Sequence, residues 1–537
     1  MAGEIRFGDA VAKWGISFRH HQGGAGDFFM PESMGSGAVV FDYDGDGDQD
    51  VLLVDGAAMP GYEGEPPLSR LYRNDASARF VDVSIHSGID VKGYGMGGTA
   101  ADVDLDGDLD LYVTAWGSNQ LFENRDGRFV DVTSRAGVGG GEAMWSTSAA
   151  FGDVDGDAYP DLYVANYVDF SLAKNPICGH RELGLRSYCH PDVYDGQPDR
   201  FFRNLGGGVF EDATSSAGFG DAKGKGLGVI FGDINRDGSV DIYVANDMTA
   251  NYLFENRGDG TFEETGLFSG VAFSDQGAPE AGMGVDLADT DGDGFDELIV
   301  THLDMQSNAL YSSSGSGLFM DRRHEAALAN PSRMQVGFGV AFADFDCDAD
   351  VDLAVGNGHI IHNIDQYGTG STYKQRNQVF RNDGTGRFEL VEDAGFEAIH
   401  ASRGLAIGDL DSDGDLDLVV NNLDEEAEVY ENLTSSCAGW LAVDAAPGVP
   451  PPLGIRAELV TTNRRQVREM RSASSYLSQN ASTLHFAHPP EDAELLVVWP
   501  GGRRQSFAGF HFGRTLRLYP RPPAGSSSSD QVEAGDR

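Results

Sequence analysis

Short apolar runs recur along this chain, separated by turns rich in glycine and aspartate. One unit contains such runs at residues 98–101, 109–113, 120–123 and 128–132, with an acidic loop between the first two. Apolar runs of this length, bounded by turn residues, indicate β-strands, named A, B, C and D here within each unit. The unit recurs seven times, which predicts a repeat architecture.

The number of strands in these units predicts how the chain closes. There are seven A, B and C strands but six internal D strands, because the seventh unit stops at residues 429–432. Residues 5–11 match the D-strand pattern and have no unit before them. If this strand completes the last unit, the ring closes and exposes no open sheet edge. We therefore predict an all-β fold, a seven-bladed β-propeller over residues 5–432 whose N-terminal strand closes the last blade.

The chain changes character after residue 432. The acidic loops stop, arginines such as Arg464 and Arg468 appear, and a proline-rich stretch interrupts the sequence at residues 447–452. Alternating apolar runs predict a small β domain over residues 433–520. Residues 521–537 include four consecutive serines, which predicts a disordered tail.

The loop between strands A and B carries the chemistry of each unit. In the seventh unit aspartates occupy positions 1, 3, 5, 7 and 9, from Asp409 to Asp417, and Gly414 stands at position 6. This is the spacing of the first part of a calcium loop, with oxygens at alternate positions and a glycine at the turn. An apolar run follows in place of a helix, so each loop should lead into a strand.

The predicted metal ligands are the acidic residues, and one asparagine, at these positions of the seven loops. They are Asp42, Asp44, Asp46, Asp48 and Asp50; Asp102, Asp104, Asp106, Asp108 and Asp110; Asp153, Asp155, Asp157 and Asp161; Asp233, Asn235, Asp237 and Asp241; Asp289, Asp291, Asp293 and Glu297; Asp344, Asp346, Asp348, Asp350 and Asp352; and Asp409, Asp411, Asp413, Asp415 and Asp417. We expect up to seven structural Ca²⁺ ions, with the loops at Asp153 and Asp233 departing most from the pattern. Magnesium fits less well, because it prefers octahedral, water-rich sites.

A simpler interpretation of these loops is also open. An Asp/Gly-rich turn can be held by hydrogen bonds from side chain to backbone alone. That arrangement would leave several carboxylates within a few ångströms of one another without a counter-ion, which is unfavourable. The calcium interpretation neutralises these charges and ties strand A to strand B in each blade.

Composition narrows the partners of the chain. Its 85 Asp and Glu residues outnumber its 38 Lys and Arg residues and give a formal net charge of −47. Even seven Ca²⁺ ions would leave the surface acidic, so a nucleic-acid partner is excluded by repulsion of its phosphates. No apolar run approaches the length that spans a membrane.

The other end of the strands predicts a second site. Because strands alternate in direction, the B–C and D–A connections should lie on the face opposite the acidic loops. A polar and aromatic set around a ring axis is typical of a ligand site. Its members are Trp116, Trp145, Tyr167, Asp247, Asn251, Met283, His302, Asn357, His359, His362, Arg403 and Asn422. His20, His21 and Glu32 join them from the segment between the N-terminal strand and the first acidic loop, which we call the N-terminal approach. The alternative is that such side chains cap strand ends through backbone hydrogen bonds.

Within this set we expect His359, Arg403 and Asp247 to be the candidates for catalysis. The residues expected to bind a ligand are Trp116, Trp145, Tyr167, Asn251, His302, Asn357 and His362. A transition metal held by His359 and His362 is a further option, for which the spacing alone is weak evidence.

The largest insertion within a blade, at about residues 167–200, should also lie on this face. It contains Cys178 and Cys189, for which we expect a disulfide. A zinc site that adds His180 and His190 is the alternative, although the usual Cys-x-x-Cys spacing is missing. Cys347 and Cys437 are expected to be free or buried thiols.

Several stretches together resemble a known family. They include Phe41-Asp-Tyr-Asp-Gly-Asp-Gly-Asp48, Gly356-Asn-Gly-His359, Tyr476-Leu-Ser-Gln479 and Val498-Trp-Pro-Gly-Gly502. The chain resembles FG-GAP/VCBS-repeat proteins of the cartilage acidic protein family, which carry a C-terminal domain of the ASPIC/UnbV type. The resemblance implies an integrin-α-like propeller, calcium binding and, usually, secretion. Some bacterial members accompany genes for enediyne biosynthesis.

The compartment follows from two opposing signals. Several calcium sites and a disulfide favour an oxidising, calcium-rich compartment, so we expect a secreted or periplasmic protein. The first 30 residues contain no leader-like apolar run, which favours the cytoplasm instead.

Two functions of different classes remain open. The first is a calcium-stabilised binding protein that presents the face opposite the acidic loops to a protein, glycan or small-molecule ligand. The second is a natural-product biosynthetic enzyme, of a cyclase or isomerase type, that uses the central funnel as its active site. A deep funnel with converging side chains would favour catalysis, and a plugged axis would favour binding.

Overall fold

A computed structural model describes residues 4–518 of the chain, with gaps at 76–77, 221, 314, 316, 397, 436–438, 446–452, 463, 488–492 and 510–512. The predicted tail at 521–537 and Cys437 lie outside the described residues. Strands dominate, and the helices are single turns. None of the described helices has the length and apolar character needed to cross a bilayer.

The described residues from Phe7 to Asn432 contain seven four-stranded antiparallel sheets and two small two-stranded ones. The chain enters through β1 (Phe7–Asp9), α1 (Val11–Trp14) and a 3-10 turn at Met30–Ser33. The first sheet contains β2 (Ala38–Phe41), β3 (Asp50–Leu53), β4 (Arg70–Asn74) and β5 (Phe80–Asp82), and the second contains β6 (Tyr94–Ala101), β7 (Asp110–Trp116), β8 (Gln120–Asn124) and β9 (Phe129–Asp131). The third contains β10 (Ser146–Gly152), β11 (Asp161–Asn166), β14 (Arg200–Asn204) and β15 (Phe210–Asp212). A hairpin of β12 (Cys178–His180) and β13 (Leu185–Ser187) lies between β11 and β14 in the chain.

The remaining sheets repeat this order. The fourth sheet contains β16 (Gly226–Gly232), β17 (Asp241–Asn246), β18 (Tyr252–Asn256) and β19 (Phe262–Glu264), and the fifth contains β20 (Val285–Ala288), β21 (Glu297–Val300), β22 (Ala309–Ser313) and β23 (Phe319–Asp321). The sixth contains β24 (Gly337–Ala343), β25 (Asp352–Asn357), β27 (Gln378–Asn382) and β28 (Phe388–Leu390), and the seventh contains β30 (Ser402–Gly408), β31 (Asp417–Asn422), β32 (Glu428–Asn432) and β1. The short strands β26 (Gln375–Arg376) and β29 (Ile399–His400) pair with each other outside these sheets. Helical turns α2 (Ser84–Ser87), α3 (Thr133–Ala136) and α4 (Gly266–Ser269) follow D strands, and α5 (Ala329–Ser332) precedes β24.

The sheets close into a ring. Each innermost strand packs against the innermost strands of two neighbours, in the cycle β2, β6, β10, β16, β20, β24, β30 and back to β2. The N-terminal strand β1 pairs with β32, with Phe7 opposite Asn432. The prediction of an all-β propeller closed by its first strand is confirmed.

The C-terminal region forms two further sheets over a core of its own. Its strands are β33 (Trp440–Ala445), β34 (Arg456–Val460), β35 (Arg465–Glu469), β36 (Leu484–Ala487), β37 (Glu494–Val498), β38 (Arg504–Ala508) and β39 (Arg514–Leu518). One sheet has the order β36-β33-β39, in which β33 and β39 are parallel, and the other has the order β35-β34-β37-β38. The limits of 433–520 for this domain stay a prediction.

The link between β35 and β36, residues 470–483, leaves this domain and enters the axis of the ring; we call it the axis segment. Tyr476 and Leu477 are buried in the central apolar cluster, at 0% and 1% exposure. Ser475 exchanges two backbone hydrogen bonds with Val285 of β20, and Gln479 N donates to Ala38 O of β2 at 3.0 Å. The axis segment therefore contacts blades on different sides of the ring and fills its centre.

The innermost strands approach the axis segment closely where they carry glycine. A Cβ atom at Gly97 of β6 would lie 2.3 Å from Leu477 O, and one at Gly37 would lie 2.2 Å from the same atom. Real Cβ atoms do not approach a backbone oxygen this closely, so glycine is required at both positions. The sequence therefore encodes the space that the axis segment occupies.

Candidate functional site

The acidic loops fold as compact carboxylate clusters at one end of the strands, which we call the acid-loop face. Carboxylate oxygens of Asp42, Asp44 and Asp50 all lie within 4.8 Å of one another. The same holds for the groups Asp102, Asp104 and Asp110; Asp153, Asp155 and Asp157; Asp289, Asp291 and Glu297; and Asp344, Asp346 and Asp348. Three converging carboxylates offer the hard oxygen donors that Ca²⁺ prefers.

Backbone amides hold each cluster in shape. In loop one, Gly47 N donates to Asp42 Oδ2 at 2.9 Å, and Gly47 has a positive φ of 95°. The acid at position 9 binds backbone on both sides, since Asp50 accepts from Tyr43 N at 2.9 Å and from Asn74 N at 2.8 Å. Asp50 therefore joins the loop to strand C of the same blade.

Two loops keep this shape without glycine at position 6. Ala158 of loop three has φ 77° and Ala349 of loop six has φ 75°, in the left-handed region that glycine adopts freely. Their amides still donate to the first aspartate, from Ala158 N to Asp153 Oδ2 at 3.0 Å and from Ala349 N to Asp344 Oδ2 at 2.8 Å. An alanine in this conformation costs about 1 kcal/mol, so the loop geometry outweighs local preference.

The clusters are electrostatically crowded. Burial, with the neighbouring carboxylates, raises the pKa of Asp42 to about 7 and that of Asp344 to about 8. The pKa of Asp415 rises to about 9 for the same reasons. The hydrogen bonds of the simpler interpretation are thus present, but they do not neutralise the charge, and a divalent cation would.

The C-terminal domain lies over part of the acid-loop face and contacts it through arginines. Asp296, next to the last acid of loop five, is the centre of this contact. Arg471 Nη2 lies 3.1 Å from Asp296 Oδ2, and Arg236 Nη2 of loop four lies 3.2 Å from Oδ1. Arg464 pairs with Asp350 of loop six and donates to Asp348 O at 2.6 Å. The sequence showed these arginines but not their partners.

On the opposite face, Arg403 is buried and its guanidinium binds backbone carbonyls. Its Nε donates to Ser33 O at 3.1 Å, and its Nη1 donates to Gly358 O at 3.1 Å. Its guanidinium carbon lies 4.0 Å from the centre of the Phe338 ring. Arg403 thus fastens the N-terminal approach to the sixth blade, with no side left for a ligand.

The other two catalytic candidates have separate partners. His359 Nδ1 accepts from Ile361 N at 2.9 Å, and its Nε2 lies 3.7 Å from Asp304 Oδ1. Asp247 accepts a hydrogen bond from Tyr167 Oη, and burial raises its pKa. Arg403 Nη2 donates to the backbone oxygen of His359 at 3.1 Å, but the side chains of His359, Arg403 and Asp247 do not form one shared constellation.

Several predicted ligand residues cap strand ends, as the alternative interpretation described. Asn251 Oδ1 accepts from Asn246 N at 2.8 Å, and Asn357 Nδ2 donates to Arg376 O at 3.0 Å. His302 is buried, which lowers its pKa to about 3, and its Nδ1 lies 2.9 Å from Ser307 O.

The predicted aromatic residues pack into the centre of the ring. Trp145 and Tyr167 meet edge to face with ring centres 5.1 Å apart, and both belong to the central cluster that contains Tyr476. Trp116 packs against the same cluster, 5.3 Å from the ring of Phe170. These rings close the axis and do not line an open funnel.

His362 and Glu32 do line a recess on the opposite face. The recess has a volume of about 370 Å³ and lies among the N-terminal approach, the disulfide-bearing insertion and the loop after β25. His362 stacks on Phe28 with ring centres 5.0 Å apart and an interplanar angle of 19°. Of the residues expected to bind a ligand or to catalyse, His362 is the one that faces this recess.

Comparisons with known proteins agree with this architecture. FG-GAP-like repeats match residues 42–113, 102–164, 233–300 and 364–420, and a domain described as ASPIC and UnbV matches residues 449–525. Cartilage acidic protein 1 of Homo sapiens is 26% identical over 530 residues, covering 91% of this chain and 73% of that protein. This chain contains FG-GAP-like repeats and an ASPIC and UnbV domain, and it is similar over most of its length to cartilage acidic protein 1. Its relative from Xenopus tropicalis is 25% identical over 94% of this chain and 77% of its own length.

Solved structures similar to this FG-GAP-repeat protein are more distant. A lectin of Agrocybe aegerita that recognises non-reducing terminal N-acetylglucosamine is 15% identical, with 73% of this chain and 86% of that chain covered and a TM-score of 0.39. A rhamnogalacturonan lyase of Bacillus licheniformis is 13% identical, with coverage of 89% and 90% and a TM-score of 0.33.

The insertion of this FG-GAP-repeat protein carries a disulfide between Cys178 and Cys189, the pair for which we expected one. Because both cysteines are in the disulfide, neither can bind zinc as a thiolate, so the alternative of a zinc site at these cysteines is excluded. Cys347 is buried, at 1% exposure, but it is disulfide-bonded, so the expectation of a free or buried thiol there is wrong. A cysteine inside an acidic loop gave no sequence signal of a disulfide.

Proposed function

We propose that this protein is a calcium-stabilised interaction protein whose β-propeller presents the face opposite the acid-loop face to a protein, glycan or small-molecule ligand. One observation carries the proposal: the axis segment fills the ring, with Tyr476 and Leu477 buried at its centre. A central funnel is therefore closed among the described residues, which favours binding over the biosynthetic enzyme that needs an open one. The recess on the opposite face is the cavity that this proposal assigns to the ligand.

Calcium in this proposal has a structural role. Each cluster joins the end of strand A to the start of strand B, and the acid at position 9 reaches strand C, as Asp110 does through Asn124 N at 2.7 Å. An ion in the cluster would neutralise carboxylates that burial and crowding otherwise force toward the protonated form. The FG-GAP family and the carboxylate geometry support this role.

A secreted or periplasmic location belongs to the same proposal. The Cys178–Cys189 disulfide persists in an oxidising compartment, and calcium loops of this kind fill where free calcium is high. Both conditions are met outside the cytoplasm.

Metal content tests the calcium part directly. After dialysis against about 1 mM CaCl₂, mass spectrometry of the purified protein should find up to seven calcium ions per chain, with loops three and four the weakest sites. The variant Asp409→Asn should lose one ion, whereas Asp259→Asn, in a turn between strands C and D, should lose none. Calcium-free protein that keeps its full stability would contradict the proposal.

Binding tests the second part. The labelled, calcium-loaded protein is applied to arrays of glycans and of extracellular proteins, alongside two variants. Lys374→Glu changes the opposite face, and Arg257→Glu changes an exposed turn on the acid-loop side of the fourth blade. We expect the first variant to weaken any hit and the second to leave it unchanged. A hit that only Arg257→Glu weakens would contradict the proposed face.

A further inference from the structure

The recess on the opposite face has a definite floor and walls. Glu32, in the 3-10 turn at Met30–Ser33, forms the floor, and Tyr188 and Tyr373 contribute aromatic walls. We call this recess the Glu32 cavity; its volume is about 370 Å³, which suits a small organic ligand. The wall residue Phe28 has a positive φ of 56°, a strained conformation of the kind that concentrates at binding sites.

Glu32 is an incompletely satisfied buried acid. It is 2% exposed, and its Oε2 lies 3.2 Å from Tyr188 Oη, which donates to it. Its Oε1 has no hydrogen-bond partner among the described residues. A buried polar atom without a partner costs about 1–3 kcal/mol, and more for a charged group, so such atoms call for an explanation.

Close packing keeps this carboxylate in place. A Cβ atom at Gly24 would lie 2.7 Å from Glu32 Oε2, so the absence of a side chain at Gly24 makes room for the carboxylate. Burial raises the pKa of Glu32 to about 7, an effect that the hydrogen bond from Tyr188 and the charge of Arg186 offset only in part. A ligand that supplies both a donor and a positive charge would satisfy Oε1 and hold Glu32 in its ionised form.

The basic groups in the cavity wall already have acidic partners of their own. Lys374 pairs with Glu425, which His400 Nδ1 also approaches at 3.3 Å. Arg19 pairs with Glu426, from Nη1 to Oε1 at 3.0 Å. None of the ion pairs formed by the described residues includes Glu32. The Arg186 guanidinium lowers the pKa of Glu32 from a distance but pairs with Asp27, so a cation in direct contact with Glu32 would have to come from a ligand.

We infer that the Glu32 cavity binds a small molecule that carries a protonated amine, with Glu32 Oε1 accepting from the ammonium group and the rings of Tyr188 and Tyr373 packing on its carbon skeleton. The inference rests on the proposed function, since it names the ligand class of the same face. Aromatic rings beside an ammonium add a favourable cation–π contribution. A neutral alcohol could fill the hydrogen bond but not the missing charge.

Pairs of compounds that differ only in an amine and a hydroxyl group test whether the Glu32 cavity requires a positive charge on its ligand. Titration calorimetry on the calcium-loaded full chain compares cyclohexylamine with cyclohexanol and glucosamine with glucose. We expect each amine to bind at least about tenfold more tightly than its uncharged isostere, since a charge-assisted hydrogen bond in a buried site exceeds a neutral one. Equal affinities within both pairs, or preference for the alcohols, would overturn the inference.

Substitutions test whether Glu32 itself binds the amine. Glu32→Gln should reduce amine affinity at least about tenfold and leave the alcohols unchanged, while Glu263→Gln, on an exposed strand, should change neither. Gly24→Ala, which pushes on the carboxylate, provides a second variant that should weaken amine binding. Amine binding that survives Glu32→Gln and Gly24→Ala overturns the inference.

The inference and the proposed function fail in different ways. If no amine binds while the calcium content and array hits remain as expected, the inference is wrong and the proposed function stands. If the protein lacks calcium and the opposite face makes no contact with any array hit, the proposed function is wrong, whatever the amines do.

Discussion

The two faces of the propeller are built from the same seven repeats and differ in how uniform they are. On the acid-loop face every blade repeats one device, seen when Gly47 N donates to Asp42 Oδ2 and Gly107 N donates to Asp102 Oδ2. On the opposite face the Glu32 cavity draws on the N-terminal approach, one insertion and two blade connections. We therefore expect stability to be distributed around the ring, and the recognition that we propose to be concentrated in the segments that depart from the repeat.

Removing calcium should have the largest effect, because it acts on every blade at once. An ion that binds only the folded state at 100 times its dissociation constant stabilises by about 2.7 kcal/mol per site. With several loops filled, EGTA should lower the melting temperature by more than about 10 °C. Excess magnesium should restore little of this loss, and an unchanged melting curve in EGTA would refute the structural role of calcium.

Substituting Tyr476 tests whether the axis segment joins the two faces into one unit. Tyr476→Ala removes a buried ring and its hydrogen bond from Oη to Met34 O, which is 2.8 Å long. Losses of buried aromatic rings cost about 3–5 kcal/mol, and urea unfolding should show a decrease of that size. Phe268→Ala, at a ring that is 83% exposed, is the matched control and should stay within about 0.5 kcal/mol. Equal effects of the two variants would mean that the axis segment adds no stability.

The same comparison explains what the sequence could predict. The acidic loops were predictable because their contacts are local, as between Asp42 and Gly47, and because the period repeats the signal. Ring closure was predictable because a missing strand at one end matched a spare strand at the other. Both inferences needed counting only, and no knowledge of distant contacts.

The rest depends on contacts between residues far apart in the chain. The hydrogen bond from Thr99 Oγ1 to Gln479 Oε1 joins positions separated by 380 residues, and no local pattern indicates it. The sequence alone makes Arg403 a catalytic candidate, because a polar residue at a strand end has the same sequence signal whether it faces a ligand or backbone carbonyls. Asp296 was not among the predicted site residues because it lies next to a ligand position of the acidic loop. One more acid in an acidic loop does not indicate a separate role.

The pH dependence of stability should be opposite in sign to that of an ordinary acidic protein once calcium is removed. Burial and neighbouring carboxylates raise the pKa of Asp42 to about 7, of Asp110 to about 8 and of Asp415 to about 9. These values exceed the unfolded value of about 3.9, so the folded state binds more protons in between. The contribution of these carboxyl groups to the free energy of unfolding is therefore fully present below about pH 4 and is lost progressively as the pH rises toward about 9.

Denaturant unfolding in EGTA, at about pH 5.5 and about pH 8, measures this loss. We expect the protein to be less stable at the higher pH by a few kcal/mol, and excess calcium to abolish the difference, because the ion takes the place of the protons. A metal-free protein that gains stability over the same range would show that the loop carboxylates are paired by other groups.

The disulfide of the insertion should have the smallest effect on global stability and a specific effect on the opposite face. Cys178 and Cys189 close a short loop outside the four strands of the third blade, so the double variant Cys178→Ser, Cys189→Ser should lower the melting temperature by less than about 3 °C. Tyr188, next to Cys189, donates to Glu32 and packs against Phe28. The variant should therefore expose residues 167–200 to protease and weaken binding in the Glu32 cavity, while the calcium content stays unchanged. A large loss of calcium or of melting temperature would instead mean that the insertion supports the repeated scaffold, and the division of labour between the two faces would be wrong.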